Sequence, residues 1–175
     1  MQRDDRILYR FCRSESGQAV VEFAFVAFML IAMMFAVIDF GRAIYERQIL
    51  TNLSREGSNL FSRGTTITNT VDAVIASATP LNISTSGRVI VTAVYNKSGS
   101  MMITNQLAQG GISATSKIGT GKGSAATIPV TNPQIPPDGQ TLYVTEVFYA
   151  YQPITPIGKL MNFAFPSQLY DISYF

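Results

Sequence analysis

The residues able to do chemistry are few and far apart in this 175-residue chain, which has no histidine and one cysteine, Cys12. That removes the commonest general base and metal ligand and leaves a single thiol. Glu146 stands inside the apolar run T-L-Y-V-T-E-V-F-Y-A-Y at 141–151, with no second carboxylate or metal ligand near it in sequence. A structural tie, to Arg88 or to a backbone donor, accounts for it better than catalysis does. The run Gly119-Thr120-Gly121-Lys122-Gly123 invites comparison with a phosphate loop, but it lacks the four-residue spacer and the Gly-Lys-Ser/Thr ending, and no hydrophobic strand feeds it. What remains is Glu22, a lone carboxylate near the start of a long apolar run. At mid-membrane such a charge costs about 2.5–3.5 kcal/mol and less near the interface, so it either snorkels to the headgroups or is there for a purpose.

The element that must position Glu22 is the run itself. From Ala19 to Ile38 there are twenty residues, of which only Glu22 is charged. At about 1.5 Å per residue a helix of that length spans about 30 Å, the hydrocarbon thickness of a bilayer. A chain this short has little core with which to enclose so apolar a helix, so the lipid bilayer is its expected surroundings. Before the run, Arg3, Arg6, Arg10 and Arg13 stand against Asp4, Asp5 and Glu15, while Arg42, Arg47 and Arg55 follow it. The positive-inside rule therefore favours a cytoplasmic N-terminus by only a thin margin. With a net charge of +2 and its arginines dispersed in this way, the chain is not expected to bind nucleic acid.

Gly17 followed by Gln18-Ala19-Val20-Val21-Glu22-Phe23 resembles the processing site of type IV prepilins, a short charged leader ending in Gly before a mature chain whose fifth residue is Glu. An ordinary secretory signal places its cleavage site after the apolar run; here the site precedes it, so the helix stays on the mature protein. Further on, I-D-F-G-R-A-I-Y-E-R-Q-I-L at 38–50 and N-L-S-R-E at 52–56 extend the resemblance to the TadE-like family, minor pseudopilins of the Tad (Flp, type IVc) pilus system. V-T-E-V-F-Y-A-Y-Q-P-I at 144–154 is a weaker echo of that family. The resemblance implies a leader at 1–17 removed by a prepilin peptidase between Gly17 and Gln18. It implies a single-pass protein of the bacterial inner membrane, N-terminus inside, joining other pilins and an inner-membrane assembly platform, with adhesion and surface attachment as the fibre's uses. Glu22, beside Phe23, would neutralise the new N-terminal amine of a neighbouring subunit. Such pairing fits the physics, because both charges would otherwise be stranded in an apolar bundle. Ala32 and Ala36, one turn apart, give a small-residue stripe for close helix packing. The expected role is assembly without catalysis, cofactor or metal. An uncleaved signal-anchored envelope protein with a partner-binding head stays open beside it.

The rest of the chain reads as α+β: one long helix over 18–63, spanning at 19–38, then a small antiparallel β-rich head over 65–175 outside the cytoplasm. From Asp39 to Arg63 an apolar stripe of Phe40, Ile44, Ile49, Leu50, Leu53, Leu60 and Phe61 alternates with Arg42, Glu46, Arg47, Arg55 and Glu56, and the head itself is its expected cover. Gly41 and Gly57 are candidate bends, and Gly64 a stop. A short helix is expected at Asn69–Ala78, a hairpin at Arg88–Tyr95 and Ser100–Leu107 with a four-residue turn, and a glycine-rich loop at 109–124 holding one weak strand near Ile112–Ile118. A turn at 135–139, a central strand at Thr141–Tyr151 covered on both faces, a short helix at Ile157–Phe163 and a last strand at Leu169–Phe175 complete the pattern. With Cys12 removed in the leader, no disulfide can hold the head.

If the junction is processed, the intact mass of the protein from its own host will lack residues 1–17. Recovery of the full-length chain alone, with an active pilus peptidase present, excludes processing. Gly17→Ala should be cleaved poorly, and a bulky residue at 17 should block cleavage.

Overall fold

The computed structural model describes residues 15–128, 135–160 and 162–175, so the leader apart from its last residues lies outside it. The chain divides into two compact units: one holds residues up to Gly41 together with Pro153–Asn162, the other Arg42–Gln152 and Phe163–Phe175. One 48-residue helix, α1 (Glu15–Ser62), begins in the first and ends in the second. It is unbroken at both Gly41 and Gly57. Its end is a Schellman stop: Gly64 takes φ +90°, its N–H reaches the Phe61 carbonyl at 3.1 Å, and the Thr65 N–H reaches that of Leu60 at 3.4 Å.

The second unit is the α+β head. After α1 come α2 (Ile67–Ala76), the single turn α3 (Ile83–Ser86), β1 (Gly87–Lys97), β2 (Ser100–Gly110) and β3 (Thr141–Ala150). Then α4 (Pro156–Leu160), which belongs to the first unit, precedes a 3₁₀ turn at Asn162–Ala164 and β4 (Gln168–Tyr174). The strands form one antiparallel sheet in the order β2-β1-β3-β4. Helix α2 starts at Ile67 because the Thr66 hydroxyl accepts the Asn69 N–H at 3.3 Å, two residues ahead of the apolar pattern that predicted Asn69–Ala78. The hairpin is tighter than expected. Lys97 pairs with Ser100, and only Ser98 (φ 52°) and Gly99 (φ 85°) make the turn. Two successive positive φ angles match the right-handed twist of the strands they join.

The sheet is covered on both faces. On one, Val89, Val91, Ala93 and Val147 pack with Leu50, Leu53 and Phe61 of α1 and Val71 and Val74 of α2. Phe61 meets Tyr143 edge to face, with ring centres 4.9 Å apart. On the other, Val94, Leu142 and Val144 pack with Ile103 and with Ile118 from the long β2–β3 connection. The weak strand expected near Ile112–Ile118 is not formed. That segment is irregular, and its donors turn inward to Glu146: the Lys117 N–H reaches the carboxylate at 2.8 Å and the Ser116 hydroxyl also donates to it.

The face of α1 that meets the sheet differs from the predicted stripe. Leu50, Leu53 and Phe61 are buried as expected, but Phe40 and Ile44 are exposed and Glu46, Ser54, Gly57 and Ser58 are buried. Positions 46, 50, 53, 54, 57, 58 and 61 form one stripe at helical spacing, and its serines are held by sheet partners. The Asp171 carboxylate on β4 accepts the hydroxyls of Ser54 at 2.6 Å and Thr51 at 3.1 Å, and Ser58 donates to the Ser173 carbonyl at 2.8 Å. Gly57 marks the closest approach: a Cβ there would stand 2.7 Å from Thr145 Cγ2 and 2.9 Å from Val74 Cγ2.

The two helical glycines should therefore respond oppositely to alanine. Gly41 has nothing within 4 Å of a would-be Cβ, so Gly41→Ala should stabilise the helix by up to about 1 kcal/mol. Gly57→Ala gains the same propensity but overpacks the sheet contact, and should destabilise by about 1–3 kcal/mol. Thermal melts of the two variants in detergent check both signs.

Candidate functional site

The residues singled out at the N-terminus all lie on the first half of α1. Gly17 and Gln18 are already helical, and the Gln18 side-chain amide donates to Glu22 Oε1 at 2.9 Å, one turn further on. Glu22 is exposed, and Phe23 is 75 % exposed. From Val20 to Ile38 the large side chains other than the half-buried Phe35 stand out from the helix uncovered, and the most apolar window has a mean hydropathy of 2.6 with none of it buried. This helix is long and apolar enough to cross a membrane. Ala32 and Ala36 lie one turn apart, shielded only in part, on that same uncovered segment. The structure thus groups Gly17, Gln18, Glu22 and Phe23 within two turns at one end and puts the alanine pair further along the rod. Cys12 and the leader arginines lie outside the described residues.

Sequence reasoning passed over the other end of the apolar segment. Asp39 is fully buried although every side chain from Val20 to Ile38 in its own helix is at least partly exposed. Its Oδ1 accepts the backbone N–H groups of Ile154 at 3.1 Å and Thr155 at 3.3 Å, and its Oδ2 accepts the Thr155 hydroxyl. The Thr155 hydroxyl oxygen accepts the N–H of Gly158 at 3.0 Å, and the Thr155 carbonyl accepts that of Lys159 at 3.0 Å, so the start of α4 is built on this carboxylate. Gly158 is glycine for want of space, since a Cβ there would land on the Asp39 carboxylate. The signal in the sequence was an acid directly after an apolar run of membrane length, with a Pro-rich segment far downstream to receive it.

In the second unit, Glu46, one of the charged residues that alternate with the predicted apolar stripe, is buried. Arg42, one turn earlier, reaches its Oε1 at 2.7 Å, while Oε2 has no hydrogen-bond partner. Burial pushes the Glu46 carboxyl above its ordinary value, and the Arg42 guanidinium opposes this in part. Burial, with the Glu46 charge added, likewise raises the Tyr149 phenol. Glu146 is fully buried but is not paired with Arg88, whose guanidinium donates instead to the Ile112 carbonyl at 3.0 Å. Ser116, the Lys117 N–H and the Tyr170 hydroxyl (3.0 Å) supply its donors without burying a second charge. Burial first, then the Glu146 carboxylate, raises the phenol of Tyr170, and the same causes carry Tyr174 to about 12. The Gly119–Gly123 run is tied to β2: Gln106 donates to the Gly119 carbonyl at 2.9 Å and accepts the Gly121 N–H at 3.0 Å. Its backbone is thereby committed to the fold.

Two of these carboxylates hold loops, and neither faces a second acid across a cleft. The feature that the chain presents outward is the bare helix with Glu22 near its start. The TadE-like protein family model matches residues 17–59, most of α1 and nothing of the sheet. Comparison with curated proteins and with solved structures returns no match.

Asp39→Ala should free the 154–159 segment without unfolding the sheet. Losing the shared carboxylate leaves two backbone donors and a hydroxyl unpaired, at a local cost on the order of 3 kcal/mol. Hydrogen exchange at the amides of Ile154 and Thr155 should accelerate by about a hundredfold, with β1 and β3 unchanged. Asp39→Asn, which keeps an acceptor, should fall between.

Proposed function

With residues 17–59 TadE-like, a match that implies a Tad pilus-associated protein, we propose that the chain is a minor pilin of that pilus. The observation that carries the reading is the division of α1. The matched segment begins at the Gly17-Gln18 junction, runs through an apolar stretch that the chain leaves uncovered, and ends where the helix is built into the head. A helix that completes a core at one end and is bare at the other suits a subunit anchored in a bilayer and then bundled with like helices.

In this reading a prepilin peptidase cuts after Gly17. Ala19–Ile38 spans the inner membrane with the N-terminus in the cytoplasm, and an assembly platform passes the subunit to other pilins. Glu22 pairs with the freed amine of Gln18 on a neighbour, and the Ala32–Ala36 stripe admits the neighbour's helix. Catalysis has no part in it. The Gln18–Glu22 hydrogen bond supports a second reading, in which Glu22 is satisfied within its own chain and α1 is only an anchor.

Glu22→Ala separates the two. If Glu22 pairs between subunits, the variant should insert and be cleaved but lose cross-linking to other pilus subunits by a hundredfold or more, since a broken buried pair costs on the order of 3–5 kcal/mol. Glu22→Asp should be intermediate. Wild-type cross-linking and piliation in Glu22→Ala leave the anchor reading standing.

A further inference from the structure

The segment Pro153–Asn162 lies in the same compact unit as the bare half of α1. It is short, yet it exposes apolar side chains that no described part of the chain covers: Leu160 is 82 % exposed and Ile154 52 % exposed, with Lys159 exposed beside Leu160. Its position along α1 is fixed by the hydrogen bonds from Ile154 and Thr155 to Asp39.

That position has a depth. Ala19 to Ile38 is twenty residues, about 30 Å of helix, so a bilayer core that begins at Ala19 ends at Asp39. Resting on the reading of α1 as a membrane-spanning helix, we propose that Pro153–Leu160 is a membrane-seated foot, with Ile154 and Leu160 in the acyl boundary of the leaflet on the head side. Lys159 then reaches back to lipid phosphates.

Three features favour lipid as the occupant. The exposed apolar surface of the foot is continuous in level with that of Val37, Ile38 and Phe40, themselves 67 %, 43 % and 51 % exposed. A basic side chain beside an apolar one matches the charge order of a headgroup region, with phosphate outside and chains within. The third is the handling of Asp39: at the edge of hydrocarbon a carboxylate and non-helical backbone N–H groups are each costly, and here each satisfies the other. The foot therefore enters the boundary with the N–H groups of Ile154, Thr155, Gly158 and Lys159 already bonded and with Ile154, Leu160 and Lys159 facing outward.

The chain contains no tryptophan, so a single introduced indole reports on one site alone. Full-length Leu160→Trp is reconstituted in vesicles of phosphatidylethanolamine and phosphatidylglycerol containing a phosphatidylcholine brominated on its acyl chains. Val37→Trp reports on the span, and N-acetyltryptophanamide in the same suspension serves as the water reference. The Leu160→Trp emission should be blue-shifted and should lose roughly half its intensity to bromine near the headgroup end of the chain, and less to bromine near its methyl end, as for an interfacial side chain. Emission at the water reference, with Val37→Trp quenched, overturns the foot and leaves the span intact. A blue shift without bromine quenching also overturns it, since the cover is then protein. If Val37→Trp is unquenched, the spanning helix fails, and the foot with it.

Discussion

One continuous helix has to satisfy two surroundings, and the rest of the structure follows from where it passes from one to the other. Between its ends the backbone hydrogen bonding of Glu15–Ser62 is internal, so the rod there is indifferent to its medium. Its side chains are not. From Ala19 to Ile38 they are apolar on every side apart from Glu22, whereas from Glu46 onward a single stripe meets the sheet. The head is assembled against that stripe, and the tightest point, Gly57 against Thr145 and Val74, lets the helix lie against strand and helix at once. A side chain at that position would hold α1 away from the sheet and open the packing around Leu53 and Phe61.

Three of the ties between segments far apart in sequence are made by carboxylates. Asp39 holds residues 154 and 155, Asp171 holds the α1 hydroxyls of Thr51 and Ser54, and Glu146 holds the β2–β3 connection at Ser116 and Lys117. A buried carboxylate accepts up to four hydrogen bonds, so it binds a loop more firmly than a neutral acceptor does, provided that enough donors converge to offset its desolvation. In each case the donors are backbone N–H groups and hydroxyls, so no second charge is buried. Glu46 departs from the scheme. It has one strong donor, Arg42, and one orphan oxygen, and its raised pKa reflects a carboxylate whose desolvation is not fully offset.

The α+β pattern, the antiparallel hairpin, the two-sided burial of Thr141–Tyr151 and the stop at Gly64 were all legible because they rest on local rules: alternation, turn chemistry and a positive-φ glycine. The residues that were misjudged were decided by tertiary partners. Glu46 reads as polar surface until Arg42 and the sheet enclose it. Phe40 and Ile44 read as core, although the enclosed stripe falls on other positions. The partner of Glu146 could not be read because Arg88 and Ser116 both lie far from it in sequence and only the loop's path chooses between them. Ile112–Ile118 alternates like a strand, but the donors at Ser116 and Lys117 are taken by Glu146, and irregular backbone wins. The N-terminal residues stand apart from all of these. Gly17, Gln18 and Glu22 were legible as a motif, and the structure adds only their proximity on one helix end.

The two acids that bracket the apolar run differ in how far they are satisfied, and that difference says which of them is available. Asp39 is fully buried, its carboxylate accepting the N–H groups of Ile154 and Thr155 and the Thr155 hydroxyl of its own chain, with Gly158 packed against it. Glu22 is exposed, and a neutral amide one turn away donates to one of its oxygens. In water that arrangement costs nothing, because solvent completes the shell. Among packed apolar helices no solvent is present, and a single neutral hydrogen bond offsets little of a carboxylate's desolvation. A cation at the same level satisfies it far better, and cleavage after Gly17 would create one at Gln18, level with the amide that Glu22 already contacts. On the proposed reading, release of the leader and burial of the helix would be coupled through one group, the carboxylate becoming tolerable in a bundle once an amine able to pair with it had been made.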